Sequence, residues 1–306
     1  MTRAWRKLGR LYTPRATAAH PKLLTHTANP LPVQLDGDLY RVFFSSRDAH
    51  NRSSVGAVDI DMGRRHVVRE HAAPFFEHGP PGSFYADGVS IANCYSVGDS
   101  HYMLFMGWQA PAGQHWRGDI GRLAVARDLS LSLDKPDPLL ASDAVDPISL
   151  SYPWVVPNRA GGYTMWYGST RTWDAGNGEM LHTINQATSD DGDDWTRHGL
   201  AVPYAIGVAQ AFSRPTVAPT ASGGLEMWFS YRSGAGEPYR IGYAHSQDAE
   251  HWELCLDRAG ITVSASGWDS EMIEYPFVFD HGGDRYMLYN GNGYGKSGFG
   301  MAILDD

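Results

Sequence analysis

One two-strand unit recurs five times along the 306 residues, and it constrains the fold more than any other feature. Each copy is a Pro-led or apolar run, a Gly/Asp turn, and then an aromatic and Met-rich run. The copies are NPLPVQLDGDLYRVFFSS from Asn29, DGVSIANCYSVGDSHYMLFMGW from Asp87, YPWVVPNRAGGYTMWYGS from Tyr152, RPTVAPTASGGLEMWFSYR from Arg214 and YPFVFDHGGDRYMLYNGNGYG from Tyr275. A third apolar segment follows each: SVGAVDID, IGRLAVA, LHTINQATS, RIGYAHS and GFGMAIL. Two copies continue through a tight polar turn into Trp195 and Trp252, a hairpin signal for a fourth strand.

Units of about 45 to 65 residues with four short strands have faces that cannot be buried singly, which is the signature of propeller blades. The expected fold is therefore all-β: one domain over residues 1–306, a five-bladed β-propeller. The last unit ends at Asp306 after its third strand. AWRKLGRLY from Ala4 resembles the Trp-led fourth segments, so the N-terminal strand is expected to pair with the last blade and close the ring. Closure removes a sheet edge that otherwise invites aggregation.

A formal charge of −9 argues against a partner read through its phosphate backbone, so no nucleic acid is expected. No run approaches the roughly 18 apolar residues needed to span a bilayer, and the N-terminus lacks a signal-peptide apolar segment. The expected compartment is the cytoplasm, without a membrane partner. Cys94 and Cys255 are the two cysteines, which excludes a disulfide scaffold. The thirteen histidines show no structural-zinc or H-E-x-x-H spacing, and no metal or cofactor is expected. The chain is silent on oligomeric state.

Antiparallel pairing places the start of each innermost strand and the end of the second strand on one face. The first set contains His26, Asn29, Asp87, Ser151, Tyr152, Ser213, Arg214, Glu274 and Tyr275. The second contains Arg47, Asp48, Trp108, Trp173, Arg232 and Asn290. Glu271 lies just before the fifth unit. Aromatic platforms beside amides and guanidinium groups suit a carbohydrate or another polar small molecule. Asp87 and Glu274 occupy equivalent or nearly equivalent places in their units. Asn290, in NGNGYG, also reads as a turn former.

With this rhythm, and with the C-terminal run GWDSEMIEYPFVFDHGGDRYMLYNGNGYGKSGFGMA from Gly267, the chain resembles the five-bladed propeller glycosidases. That group includes arabinanases, xylosidases, invertases, levansucrases and mannoside phosphorylases, and the run resembles a little-characterised branch of it. The resemblance implies a glycoside hydrolase-like enzyme with three carboxylates from the first three blades, one held protonated and one ionised across a glycosidic bond. Asp87 matches the second-blade position. Asn29, which cannot ionise, and Ser151 with Tyr152 stand where the other two acids are expected. The remaining candidates are Glu274 as general acid or base with Asp48 or Asp87 opposite. His26, Asn29, Asn290 and Glu271 would contact substrate, Arg47, Arg214 and Arg232 would bind an anionic part of it, and Trp108, Trp173, Tyr152 and Tyr275 would form its walls. The alternative is a phosphorylase, cyclase, isomerase or carbohydrate-binding propeller that has lost the usual triad.

Overall fold

The computed structural model describes residues 3–15 and 20–305. Strand β1 (Ala4–Tyr12) is followed by a first group, β2 (Thr25–Asp36), β3 (Leu39–Arg47), β4 (Ser53–Asp61) and β5 (His66–Glu70). The second group is β6 (Gly88–Val97), β7 (Ser100–Gln109), β8 (Arg117–Val125) and β9 (Leu131–Leu133). The third is β10 (Ser149–Pro157), β11 (Tyr163–Thr172), β12 (Leu181–Ser189) and β13 (Thr196–Leu200). The fourth is β14 (Ser213–Pro219), β15 (Leu225–Tyr231), β16 (Arg240–Ser246) and β17 (Trp252–Leu254). Last come β18 (Glu274–His281), β19 (Asp284–Asn290) and β20 (Phe299–Asp305), whose outer edge is taken by β1.

Within each group successive strands pair antiparallel, and a single parallel bridge, Ser53 to Gly88, joins the first two groups. One short 3-10 turn, Leu256–Arg258, is the only helical element among the described residues, and none there is long and apolar enough to cross a membrane. The molecule is an all-β propeller fold. The innermost strands contact one another in sequence, β2 with β6, β6 with β10, β10 with β14, β14 with β18 and β18 with β2.

The second strands are largely apolar through their middle because each is packed between neighbouring groups. Phe43, Phe105, Trp166, Phe229 and Leu288 are all fully buried. The polar turn residues between runs sit at the rims, where backbone groups still find water.

Every innermost strand carries an irregularity near its start: between Ala28 and Leu31, Ile91 and Cys94, Ser151 and Trp154, Ser213 and Thr216, and Glu274 and Phe277. In four of the five the first bulged residue precedes proline and holds a left-handed backbone, with φ of 58° at Asn29, 36° at Tyr152, 48° at Arg214 and 53° at Tyr275. Such conformations strain a non-glycine residue and persist only where the surroundings enforce them. The bulge re-aims this side chain relative to a regular strand, which sets what meets at the axis.

Asn290, expected at the ligand, instead clasps the last group to the first. Its Oδ1 accepts the Asn29 N–H at 2.9 Å, and its Nδ2 donates to the carbonyls of Thr27 at 2.8 Å and Gly298 at 3.0 Å. It is fully buried and has nothing left to offer a substrate. Asn29 is likewise buried, its backbone held in this clasp. Asn290→Ala strands those partners and is expected to cost about 1–3 kcal/mol, read by urea unfolding.

Candidate functional site

The strand starts and ends on one face surround a cavity of about 400 Å³ at the mouth of the axis. Arg47 closes β3, Trp108 is next to the end of β7, Ser151 and Tyr152 are near the start of β10, and Ser213 opens β14. Arg232, Tyr239, Tyr275, Tyr294, Trp116, Met180 and His182 complete most of its wall. Tyr152 and Tyr275 meet at 5.4 Å between ring centroids, from the third and fifth groups.

Glu274, the first residue of β18, is buried beside this wall, and neither carboxylate oxygen has a hydrogen-bond partner. Burial raises its carboxyl pKa well above the ordinary range; Arg47, Arg232 and the Tyr294 backbone N–H pull the other way without overcoming it. The same burial, with Glu274 adding to it, pushes the Tyr239 and Tyr275 hydroxyls up. A carboxyl whose proton is favoured by burial can serve as a proton donor.

Arg232 lies 4.7 Å from the Tyr239 ring centroid and donates to Glu179 at 2.9 Å. Glu179 is buried and also accepts the Met180 N–H at 3.0 Å. Arg47 donates to Asn51 at 2.8 Å, and among the described residues no carboxylate lies within ion-pair distance of it. Trp108 is held by a 3.1 Å bond from its indole N–H to Ser53, for which Gly88 leaves room: a Cβ there would stand 2.1 Å from the indole nitrogen.

Several expected site residues have other tasks. Arg214 is fully buried and donates to the carbonyls of Tyr275 at 2.7 Å, Pro30 at 2.9 Å and Ala92 at 3.4 Å, joining three other innermost strands. Burial lowers its pKa to about 9, which leaves a cation at neutral pH, but one enclosed away from substrate. Asp48 closes a turn: Oδ1 takes the N–H groups of His50 and Arg52, and Oδ2 takes the Arg52 guanidinium at 2.9 Å. Burial raises the pKa of its carboxyl, but the bonds from Arg52 and His50 outweigh that and hold it below the usual range. It is a poor proton donor and, like Glu274 and Glu179, it is not among the side chains that line the cavity.

Asp87 is at the rim, accepting the Ala110 N–H at 2.8 Å. The register makes Ile91, not Asp87, the counterpart of Glu274. Glu271 is exposed, and its backbone serves the turn built on Asn292. His26 lines a separate cavity of about 220 Å³ with Tyr12 and His71, and burial lowers its pKa to about 4. Trp173 stacks on His115 at 4.4 Å and meets Trp116 edge-on at 5.1 Å, so that Trp116 rather than Trp173 faces the cavity.

Sequence reasoning missed His182, Trp116, Tyr239 and Glu179. His182 sits in LHTIN, a segment read only as an apolar third strand; its polar second residue was the available signal. Among the described residues one group, His245, Glu253 and Cys255, brings possible metal-ligating atoms within 4.8 Å of one another. It lies on the outer strands β16 and β17 and just beyond, where nothing else marks it as a metal site.

No family model matches the chain. The uncharacterized protein Rv1502 of Mycobacterium tuberculosis (strain ATCC 25618 / H37Rv) is 39% identical over 305 residues, covering 99% of this chain and 100% of that protein. Among solved structures, one from the GH130 family of mannoside phosphorylases, which contains glycoside hydrolases that target β-1,2 mannosidic linkages in Candida mannan, superposes with a TM-score of 0.73. It is 14% identical, with 99% of this chain and 94% of that one covered. A thermostable family-43 glycoside hydrolase gives a TM-score of 0.67 at 15% identity, covering 94% and 91%. At such identities the likeness is one of fold. The chain belongs to the family of Rv1502, an uncharacterised branch built on the propeller fold of the glycoside hydrolases and mannoside phosphorylases.

Proposed function

We propose that the chain is a glycosidase-like enzyme acting on a sugar or sugar-derived polar small molecule in the axial cavity, with Glu274 as proton donor. The reading takes the five strand groups as five blades of one domain, with the β1–β20 pairing closing the ring. The observation that carries it is Glu274: a fully buried carboxyl without a hydrogen-bond partner, next in sequence to Tyr275 and in the field of Arg47 and Arg232, all three of which line the cavity. Leaving such a group unpaired costs stability, and a group retained at that cost is a candidate for chemistry.

Hydrolysis needs a second carboxylate to activate water or attack directly. Asp48 is spent on its turn, so we assign that part to Glu179, a buried acid tied to the cavity through its ion pair with Arg232, which lines it. A second reading, phosphorolysis, is favoured by the two cavity guanidinium groups: phosphate held by Arg47 and Arg232 would attack in place of water, and one acid would then suffice. The test is incubation with a panel of p-nitrophenyl glycosides and with β-1,2-linked mannobiose, with and without inorganic phosphate. Turnover supports the reading, and phosphate-dependent release of a sugar 1-phosphate selects phosphorolysis. No turnover in any arm overturns catalysis in favour of binding alone.

A further inference from the structure

Ser151 stands in β10 where Glu274 stands in β18. Each is the last paired residue before the bulge, opposite Gly168 and Asn290 respectively, and each is followed by Tyr-Pro. The third blade therefore offers a hydroxyl where the fifth offers an acid. Its Oγ lies 2.6 Å from Nε2 of His182, and Nδ1 of that ring lies 2.7 Å from Oγ1 of Thr170. All three side chains are buried, yet Ser151 and His182 line the cavity, and the Trp116 ring meets the imidazole at a tilt, 5.9 Å between centroids.

The strand between the partners is adapted to this bond. A Cβ at Gly168 would stand 2.1 Å from Ser151 Oγ and 2.3 Å from His182 Nε2, so any other residue there would wedge the two apart. Burial lowers the pKa of His182 to about 3, with distant Asp146 opposing it, so the ring is neutral at physiological pH. A neutral imidazole donates at one nitrogen and accepts at the other. With Nδ1–H donated to Thr170, Nε2 accepts the hydrogen bond of the Ser151 hydroxyl, and the lone pairs of Ser151 remain for a ligand. With both protons reversed along the chain, Ser151 donates instead. Both nitrogens face hydroxyls and neither faces a carboxylate, so an imidazolium would be a buried cation without a partner. That excludes His182 as the base of a serine nucleophile.

We propose that Ser151 is a positioning residue that hydrogen-bonds a hydroxyl of the ligand, its own hydroxyl fixed by His182 and Thr170 and given room by Gly168. The inference rests on the reading of the cavity as a sugar site.

The test compares variants on the glycoside the wild type turns over. Ser151→Ala, His182→Asn and Gly168→Ala are each expected to raise KM about three- to tenfold, the size of one hydrogen bond, with kcat within about twofold. Glu274→Gln instead lowers kcat. Long-range proton–nitrogen NMR of the wild type reads the ring itself, expected neutral and unchanged between about pH 5 and 8. A Ser151→Ala enzyme with unchanged KM, beside a Glu274→Gln enzyme that has lost kcat, overturns this assignment alone. So does a His182 that titrates near its ordinary pKa, or a Ser151→Ala enzyme slower than Glu274→Gln, which would make the hydroxyl a nucleophile. If no glycoside turns over, mannose binding followed by saturation-transfer NMR takes the place of KM. Loss of the signal in Ser151→Ala then supports the contact, and retention overturns it. No binding by the wild type overturns this assignment and the sugar-site reading together.

Discussion

Glu274→Gln is expected to lower kcat by about a hundredfold or more while KM stays within a few fold, because positioned proton donation contributes that much and glutamine keeps the shape without the acidic proton. Burial favours the protonated carboxyl: both oxygens lack partners, and the nearby guanidinium groups of Arg47 and Arg232 fail to offset it. The wild-type rate should therefore fall at alkaline pH as Glu274 loses its proton, and the residual rate of the variant should lack that limb. A Glu274→Gln enzyme that keeps more than about a tenth of the wild-type rate would remove the acid from the mechanism.

The same substitution is expected to stabilise the fold near neutrality. Glu274 has a folded pKa above its unfolded value of about 4.3, so the folded chain binds that proton more tightly. The stability this adds is fully present below about pH 4 and is lost as pH rises through the folded pKa. Glutamine has no proton to lose. Wild type and variant should melt alike in acid, and the variant should melt higher at about pH 8. On the acid side both should weaken together. His182 and His26 have folded values lowered to about 3 and about 4, so stability falls as pH drops from about 6.5 and the unfolded chain takes up the protons.

The rhythm of the chain was legible because burial imposes it five times over. Second strands packed on both faces read YRVFFSS or YTMWYGS, with apolar and aromatic residues through the middle and the polar ones toward the ends. The place of Glu274 in the fold was legible for a related reason: directly before Tyr275-Pro276, it heads the innermost strand β18. Which neighbours would join it was not legible. The left-handed backbone at Arg214 directs that side chain to three carbonyls of other strands, and no local pattern announces it. Asp48 looked available because sequence does not show that the N–H groups of His50 and Arg52 close on it. His182 stayed hidden because its partners, Ser151 and Thr170, come from two other strands and meet it through pairing.

Removing the residues through Tyr12 should cost more stability than any single substitution. Strand β1 pairs along β20 from Ala4–Asp305 to Tyr12–Phe299, so its loss opens an edge on the last group. Trp5 is buried and packs edge-on against Trp228 at 5.4 Å, and Lys7 pairs at 2.6 Å with Asp269, a buried acid that also accepts the Tyr289 hydroxyl at 3.0 Å. Trp5→Ala alone should cost about 3–5 kcal/mol, lowering Tm by about 5–8 °C at the entropy of unfolding usual for this length. The truncated chain also loses the backbone ladder and leaves Asp269 without its cation, a large share of the roughly 5–15 kcal/mol that holds a domain together. Calorimetry should order the melting temperatures as wild type, then Trp5→Ala, then truncation, with the last losing cooperativity. A truncated chain that melts with the wild type would mean that β1 does not close the ring. A Trp5→Ala chain that melts with the wild type while the truncated chain unfolds would place the closure in the strand's hydrogen bonds rather than in the tryptophan.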